Sequence, residues 1–228
     1  LTDTKRTDLK TKVNNFEKVL YGTDKKKDWS KVNFATLAPA DDWTTYLDMS
    51  SAVDYYLAKE FTKDQDADMY RSNFFYTNNV APASSDKFFL GPLWDFDRSA
   101  GAVTGGSTSI ASTSGWWMRG AGSPAHNTNK IHWYTRIAKD PRFLAALKTR
   151  WAEKRSVFQA VGATGVDAAV TSIGGSPSLG AQVAANDLSV WGRGGSRYAF
   201  HTSSYSSEIT WTKNWYTNRY NWMNGQLD

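Results

Sequence analysis

The sequence predicts an α+β domain that is predominantly helical and carries one short β-hairpin. Two observations carry that prediction. Side chains recur at three- and four-residue spacing near both ends of the chain, as Leu9, Val13, Phe16 and Leu20 and as Trp211, Trp215, Arg219 and Trp222, which is the helical period. Between them the period changes: Ser72 to Thr77 and Lys87 to Leu90 are short aromatic runs of the kind that form strands.

Taken in order, residues 7–21 read as an amphipathic helix stopped by Gly22. A loop holding Pro39 follows. Ser51 with Asp54 three residues later forms a capping box, opening a helix through Phe61 with Val53, Leu57 and Phe61 on one stripe. An acidic loop, Lys63-Asp64-Gln65-Asp66-Ala67-Asp68, comes next. The stretch from Asn78 to Asp86 is turn chemistry joining the two aromatic strands into a hairpin. The second strand is expected to run on through Gly91-Pro92-Leu93-Trp94 into Asp95-Phe96-Asp97. Residues 99–128 are rich in Gly, Ser and Thr around Trp116-Trp117 and predict a long, mobile loop. Asp140-Pro141 is an N-cap with proline at the first helical position, continued by Phe143, Leu144, Leu147 and Trp151. Shorter helices are expected at 165–173 and 179–190, a glycine loop at 192–195, and a last helix from about Ser207. With no repeat and no linker, the 228 residues read as one domain.

Composition narrows the function. The chain is 40% apolar and 14% aromatic, enough for a packed core. It has no cysteine, which excludes disulfides, thiolate metal sites and thiol nucleophiles. No apolar run approaches the roughly 20 residues that cross a bilayer. His126, His132 and His201 lie too far apart in sequence for a zinc pair, and neither a Walker A sequence nor a GxSxG elbow is present. The net charge of +5 is scattered, and its densest run, Lys25 to Lys27, reads as a solvated turn. No basic helix or aromatic strand interleaved with Lys or Arg points to nucleic acid. Eleven Trp and the Ser/Thr/Gly/Asn-rich loops lean toward a secreted or cell-surface protein. The polar start at Leu1, with no initiator Met, reads as a processed chain or as a piece of a longer one, and the second reading is preferred.

The chemistry rests on acids. Asp95 and Asp97 are two apart and would share a face if the strand continues. Paired carboxylates repel unless a cation lies between them, and magnesium takes one or two carboxylates plus phosphate oxygens. On spacing alone, the bland reading is preferred: Asp97 pairs with Arg98 or caps a turn, and Asp95 is a surface acid. The order of parts alters that balance. A helix, an acidic loop, the polar pair Ser72-Asn73, an aromatic hairpin and a terminal carboxylate motif follow the order of a protein-kinase C-lobe, in which two loops converge on magnesium and nucleotide phosphates.

The stretch from Ser51 through Glu60 and Asp66-Ala67-Asp68 to Ser72, with Gly91-Pro92-Leu93-Trp94-Asp95-Phe96-Asp97 and the closing Gly101, resembles the spore-coat CotH kinase family over about residues 46–101. The resemblance implies an atypical kinase fold that uses ATP and magnesium or manganese to phosphorylate Ser or Thr of a protein substrate. Carried over by position, Asp66 matches the catalytic-loop acid, with Asp68 as the alternative because Asn73 follows it at the kinase Asp-x-x-x-x-Asn spacing. Asp95 matches the metal-binding acid, with Asp97 and Asn73 as further ligands. The family also carries a small N-terminal lobe, and only some 45 residues precede the matching helix. A C-lobe lacking its N-lobe is therefore expected, the N-terminal segment being either cleaved off or supplied as a separate chain. Two non-catalytic readings stand beside the kinase: a pseudokinase scaffold, and a module binding cell-surface glycan on a platform such as Trp116-Trp117. For that Trp pair, anchoring its loop is the preferred role.

Overall fold

The computed structural model describes residues 2–23, 27–67, 72–81, 83–101, 111–119, 132–174, 182–183, 185–186, 189–190 and 204–228. The first helix, α1, spans Asp3–Tyr21. Thr2 caps its start by accepting from the Lys5 amide, and Gly22 ends it at φ 76°, its N–H donating to the Lys18 carbonyl. That left-handed turn is the conformation glycine tolerates and other residues resist, so the expected stop is observed. Helix α2 spans Met49–Thr62. Its cap is Asp48, whose carboxylate accepts from the Ser51 amide at 2.8 Å, and not the expected Ser51. The Ser51 hydroxyl serves the hairpin instead, accepting from the Leu90 amide at 3.1 Å.

Strands β1 (Phe75–Tyr76) and β2 (Phe89–Leu90) pair antiparallel, Phe75 opposite Leu90 and Tyr76 opposite Phe89. The hairpin is as expected but shorter. Its second strand ends at Leu90, because Gly91 turns to φ 128° and Pro92, after a cis peptide bond, has no N–H to continue a ladder. Helices α3 (Tyr134–Ile137) and α4 (Pro141–Ala160) follow. A π-helical turn, Val161–Gly165, leads into α5 (Val166–Gly174), and α6 spans Tyr205–Leu227 behind a Ser204 cap. Among the described residues the fold is thus mostly helical with a single two-stranded antiparallel sheet, an α+β arrangement. Half of the expected helix at 179–190, the loop at 192–195, His126, His201, Lys25 and Lys26 lie outside the described residues.

The chain divides into two compact units. The first comprises residues 1–60, 66–95 and 118–150. Phe16 of α1 lies at its centre against Tyr46, Phe88 and Trp133, the last edge-on at 4.7 Å. A second aromatic group joins Tyr56, Tyr134, Phe143 and Trp43. Asp140 starts α4 as expected, accepting from the Arg142 amide at 2.8 Å. Lys12 is buried on α1, where its ammonium donates to the carbonyls of Asn79 and Asp86 and so staples the hairpin loop. Lys27, expected in a solvated turn, is instead half-buried over the Trp29 ring and donates to the Val19 carbonyl at 2.8 Å.

The second unit comprises residues 61–65, 96–117 and 151–228. Phe61 packs on Phe158 and Tyr216, and Trp151 on Phe158 and Tyr220. Of the α6 stripe expected from spacing, Trp215 and Arg219 are buried and Trp211 and Trp222 half-buried, while Met223 and Leu227 complete the buried face. Gly162 lets the π-helical turn approach α6, since a Cβ there would meet the Thr217 hydroxyl at 2.6 Å. Burial pushes the Tyr216 phenol up to about 12, against a smaller opposing pull from its hydrogen bond with Ser99. A raised phenol stabilises the fold fully below the ordinary value of 10 and loses that contribution as pH climbs through about 12. The loss amounts to about 2–3 kcal/mol. Urea midpoints measured across that window should fall in the wild type and stay flatter in Tyr216→Phe. Superimposable profiles would show that the Tyr216 phenol does not govern alkaline stability.

Candidate functional site

The acidic loop that the sequence marks is, where described, buried together with the end of α2. Lys59, Glu60, Lys63, Asp64, Gln65 and Asp66 are all buried, Asp66 being 4% exposed. A run of buried polar and ionic side chains is unfavourable unless each is paired and hydrogen-bonded. Here the partners are specific. In the first unit, the Glu60 carboxylate accepts from the Met118 amide at 2.8 Å, and the Lys59 ammonium donates to the Trp94 carbonyl at 2.9 Å.

The same unit holds most of the expected site residues. Asn73 is wired on both sides of its amide: Oδ1 accepts from the Tyr55 hydroxyl, and Nδ2 donates to the Asp66 carbonyl at 2.6 Å. The neighbouring Ser72 donates from its hydroxyl to Asp95 Oδ2 at 2.8 Å. The dipeptide Ser72-Asn73 therefore ties the Asp66 loop on one side and the Asp95 carboxylate on the other. Asp95 itself is exposed, at φ 61°. Asn73 thus braces the acidic loop, a role that its sequence position did not disclose.

The strand that would have aligned Asp95 with Asp97 ends five residues before Asp95, so the shared-face argument does not hold. Asp97 is exposed in a turn of the second unit. That turn is held by the Gln65 amide donating to the Arg98 carbonyl and by the Arg98 guanidinium donating to Gln65 Oε1. Asp68 lies outside the described residues. No group of three or more His, Cys, Asp or Glu side chains among the described residues forms a ready metal cage. The donor set at Asp95, an exposed carboxylate with one oxygen steadied by a hydroxyl, fits an ion that takes one or two protein carboxylates and completes its shell from phosphate and water.

The second unit shows what the Trp-containing loop does. Lys63, buried, donates to the carbonyls of Ser112 and Ser114, and Trp117 Nε1 donates to the Asp64 carbonyl. From α6, Trp215 Nε1 donates to the Ala111 carbonyl, and the Arg219 guanidinium to those of Thr113 and Gly115. Irregular backbone can be buried only when its carbonyls find donors, and these side chains supply them. Where described, the stretch expected to be mobile is an anchored strut. Residues 102–110 and 120–128 of that expected loop lie outside the described residues. Trp117 is 2% exposed and Trp116 packs edge-on against Trp222 at 4.9 Å, so the pair anchors its loop. Gly101, which closes the acidic signature at φ 80°, lies where a Cβ would meet the Trp211 ring at 2.5 Å.

Sequence reasoning assigned no role to Ser72, Lys59 or Tyr55. One signal was present: Tyr55 and Lys59 are four apart on α2, hence on a common face, opposite the stripe of Val53, Leu57 and Phe61. Compared with known proteins, residues 3–223 match the family model described as CotH kinase protein. The match extends the similarity read at 46–101 to nearly the whole chain, α1 and most of α6 included. No curated protein and no solved structure matches it.

Proposed function

The chain belongs to the CotH kinase family, and from that premise we propose that it transfers the γ-phosphoryl group of ATP to Ser or Thr hydroxyls of a protein substrate, with magnesium or manganese, as a kinase C-lobe. The observation that carries the reading is the Ser72-Asn73 bridge, with one residue bonded to Asp95 and the next to the Asp66 loop. Phosphoryl transfer asks a protein chiefly for fixed positioning and charge stabilisation, and the bridge supplies the positioning.

Asp95 is the residue that would hold the divalent ion. When bound, the ion neutralises charge on the transferring phosphoryl group. Asp66, or Asp68 two residues on, accepts the proton of the attacking hydroxyl. Asn73 holds the Asp66 loop in register. The acceptor is a secreted or cell-surface protein, in keeping with the Ser/Thr/Gly/Asn-rich composition. No described helix is long and apolar enough to cross a membrane.

Label transfer from γ-labelled ATP to a Ser/Thr-rich acceptor protein tests the reading. The expected result is metal-dependent labelling that a chelator abolishes and Asp66→Asn reduces by about a hundredfold or more, the usual scale for a general base. A chain that neither transfers label nor shifts its melting temperature with ATP and magnesium would overturn it.

A further inference from the structure

We propose that Ser72 is a positioning residue that aims Asp95 at its divalent ion. The inference rests on the kinase reading above and adds to it a named side chain. Its basis is a coincidence of three features at one point. Ser72 and Asp95, 23 positions apart, both occupy the left-handed backbone region, at φ 47° and 61°. Neither is glycine, so each conformation is unfavourable and persists only where surrounding structure enforces it. The two are joined to each other, Ser72 Oγ donating to Asp95 Oδ2 at 2.8 Å.

The backbone on both sides of the pair is fastened independently. One residue before Asp95, the Trp94 carbonyl accepts from buried Lys59 of α2. One residue after Ser72, Asn73 is held by Tyr55 of the same helix and by the Asp66 carbonyl. Helix α2 therefore sets where the two strained residues stand, and the Ser72 hydroxyl sets how the carboxylate points. A hydrogen bond to one carboxylate oxygen narrows the rotamers from which the ion has to select. Groups that orient a metal ligand in this way typically contribute about 10–100-fold in metal affinity.

The variants separate orientation from folding. Ser72→Ala removes the donor and keeps a side chain that resists φ 47°. Ser72→Gly removes the donor but relieves the backbone, because glycine enters that region freely. Ser72→Asn tolerates the conformation and offers an amide donor. The full chain is titrated with Mn2+ in the presence of a non-hydrolysable ATP analogue, and free Mn2+ is read by electron paramagnetic resonance. Asp95→Asn serves as the reference, and thermal melts run in parallel.

Ser72→Ala and Ser72→Gly are both expected to weaken Mn2+ about tenfold or more, on the scale of ligand-orienting groups, even where Ser72→Gly melts at or above the wild type. Ser72→Asn should return most of the affinity. In transfer assays the half-saturating metal concentration should rise by a similar factor. If Asp95→Asn abolishes Mn2+ binding while Ser72→Gly binds like the wild type, the positioning role is overturned and the kinase reading stands. A wild-type chain that binds no Mn2+, or an Asp95→Asn chain that binds it unchanged, overturns both.

Discussion

Asp95→Asn is expected to keep the fold and lose at least about a hundredfold in phosphoryl transfer, the scale seen when a charge-stabilising group is removed from a reacting centre. The substitution is close to isosteric and changes little besides charge. Asparagine retains an acceptor oxygen for the Ser72 hydroxyl, which now reaches Asp95 Oδ2 at 2.8 Å. It also tolerates the left-handed φ of 61° about as well as aspartate. Asp95 is exposed. A fall in rate with an unchanged melt would therefore report on charge at the reacting centre. Retention of transfer within about threefold would remove Asp95 from the mechanism, and with it the reason for reading the motif as a metal-binding one.

The largest stability effect is expected at Asp140, a residue with no part in the proposed chemistry. Its side chain is fully buried, accepting from Trp43 Nε1 at 2.8 Å, from the Arg142 amide at 2.8 Å and from the Arg142 guanidinium at 2.7 Å. Arg142 also grips Asp42, at 2.7 Å. Hydrogen bonds to the two carboxylates push the Arg142 pKa above its ordinary value. Asp42 responds in the other direction. Burial raises its pKa, but hydrogen bonds from Arg142 and Thr44 outweigh that and hold it below the usual carboxylate range. Its contribution to stability is therefore present above the unfolded carboxylate range and lost as pH falls through its depressed folded value.

Asp140→Ala removes a helix cap, strands a buried indole N–H and leaves half of an ion triad. Breaking a buried pair by deleting one partner typically costs about 3–5 kcal/mol, a large share of a domain's net stability of about 5–15 kcal/mol. Asp140→Asn, which keeps acceptors for the cap and the indole, should cost less. Urea titration followed by Trp fluorescence would measure both. An Asp140→Ala chain within about 1 kcal/mol of the wild type would show that Arg142 and Trp43 find replacement partners.

The elements legible from sequence are those set by neighbours a few positions away. Gly22 ends α1 because a left-handed residue must follow the last turn, and Asp140-Pro141 opens α4 because the cap and the proline act within that turn. The face of α6 carrying Trp215 and Arg219 follows from a 3.6-residue period. The aromatic pairing of the hairpin and the acids around it were legible for the same reason. So was the family, because its signature, Gly91 to Asp97, is a contiguous string of residues.

What sequence could not supply was every decision made by a partner far along the chain. Asp48 and Ser51 are both good cap residues, and the hairpin settled their roles by drawing the Ser51 hydroxyl to Leu90, 39 residues on. The acidic loop reads from sequence only as a polar, acidic segment. Its Lys63 is buried because the distant carbonyls of Ser112 and Ser114 accept from its ammonium, and a local pattern holds no trace of them. The sequence marks Asn73 as a ligand candidate and gives no sign of its bracing role, since its partners come from α2 and the Asp66 loop. Periodicity and capping are short-range and leave a mark in composition. Satisfying a buried donor or acceptor is a condition on three-dimensional proximity, and only the folded chain decides which residues meet it.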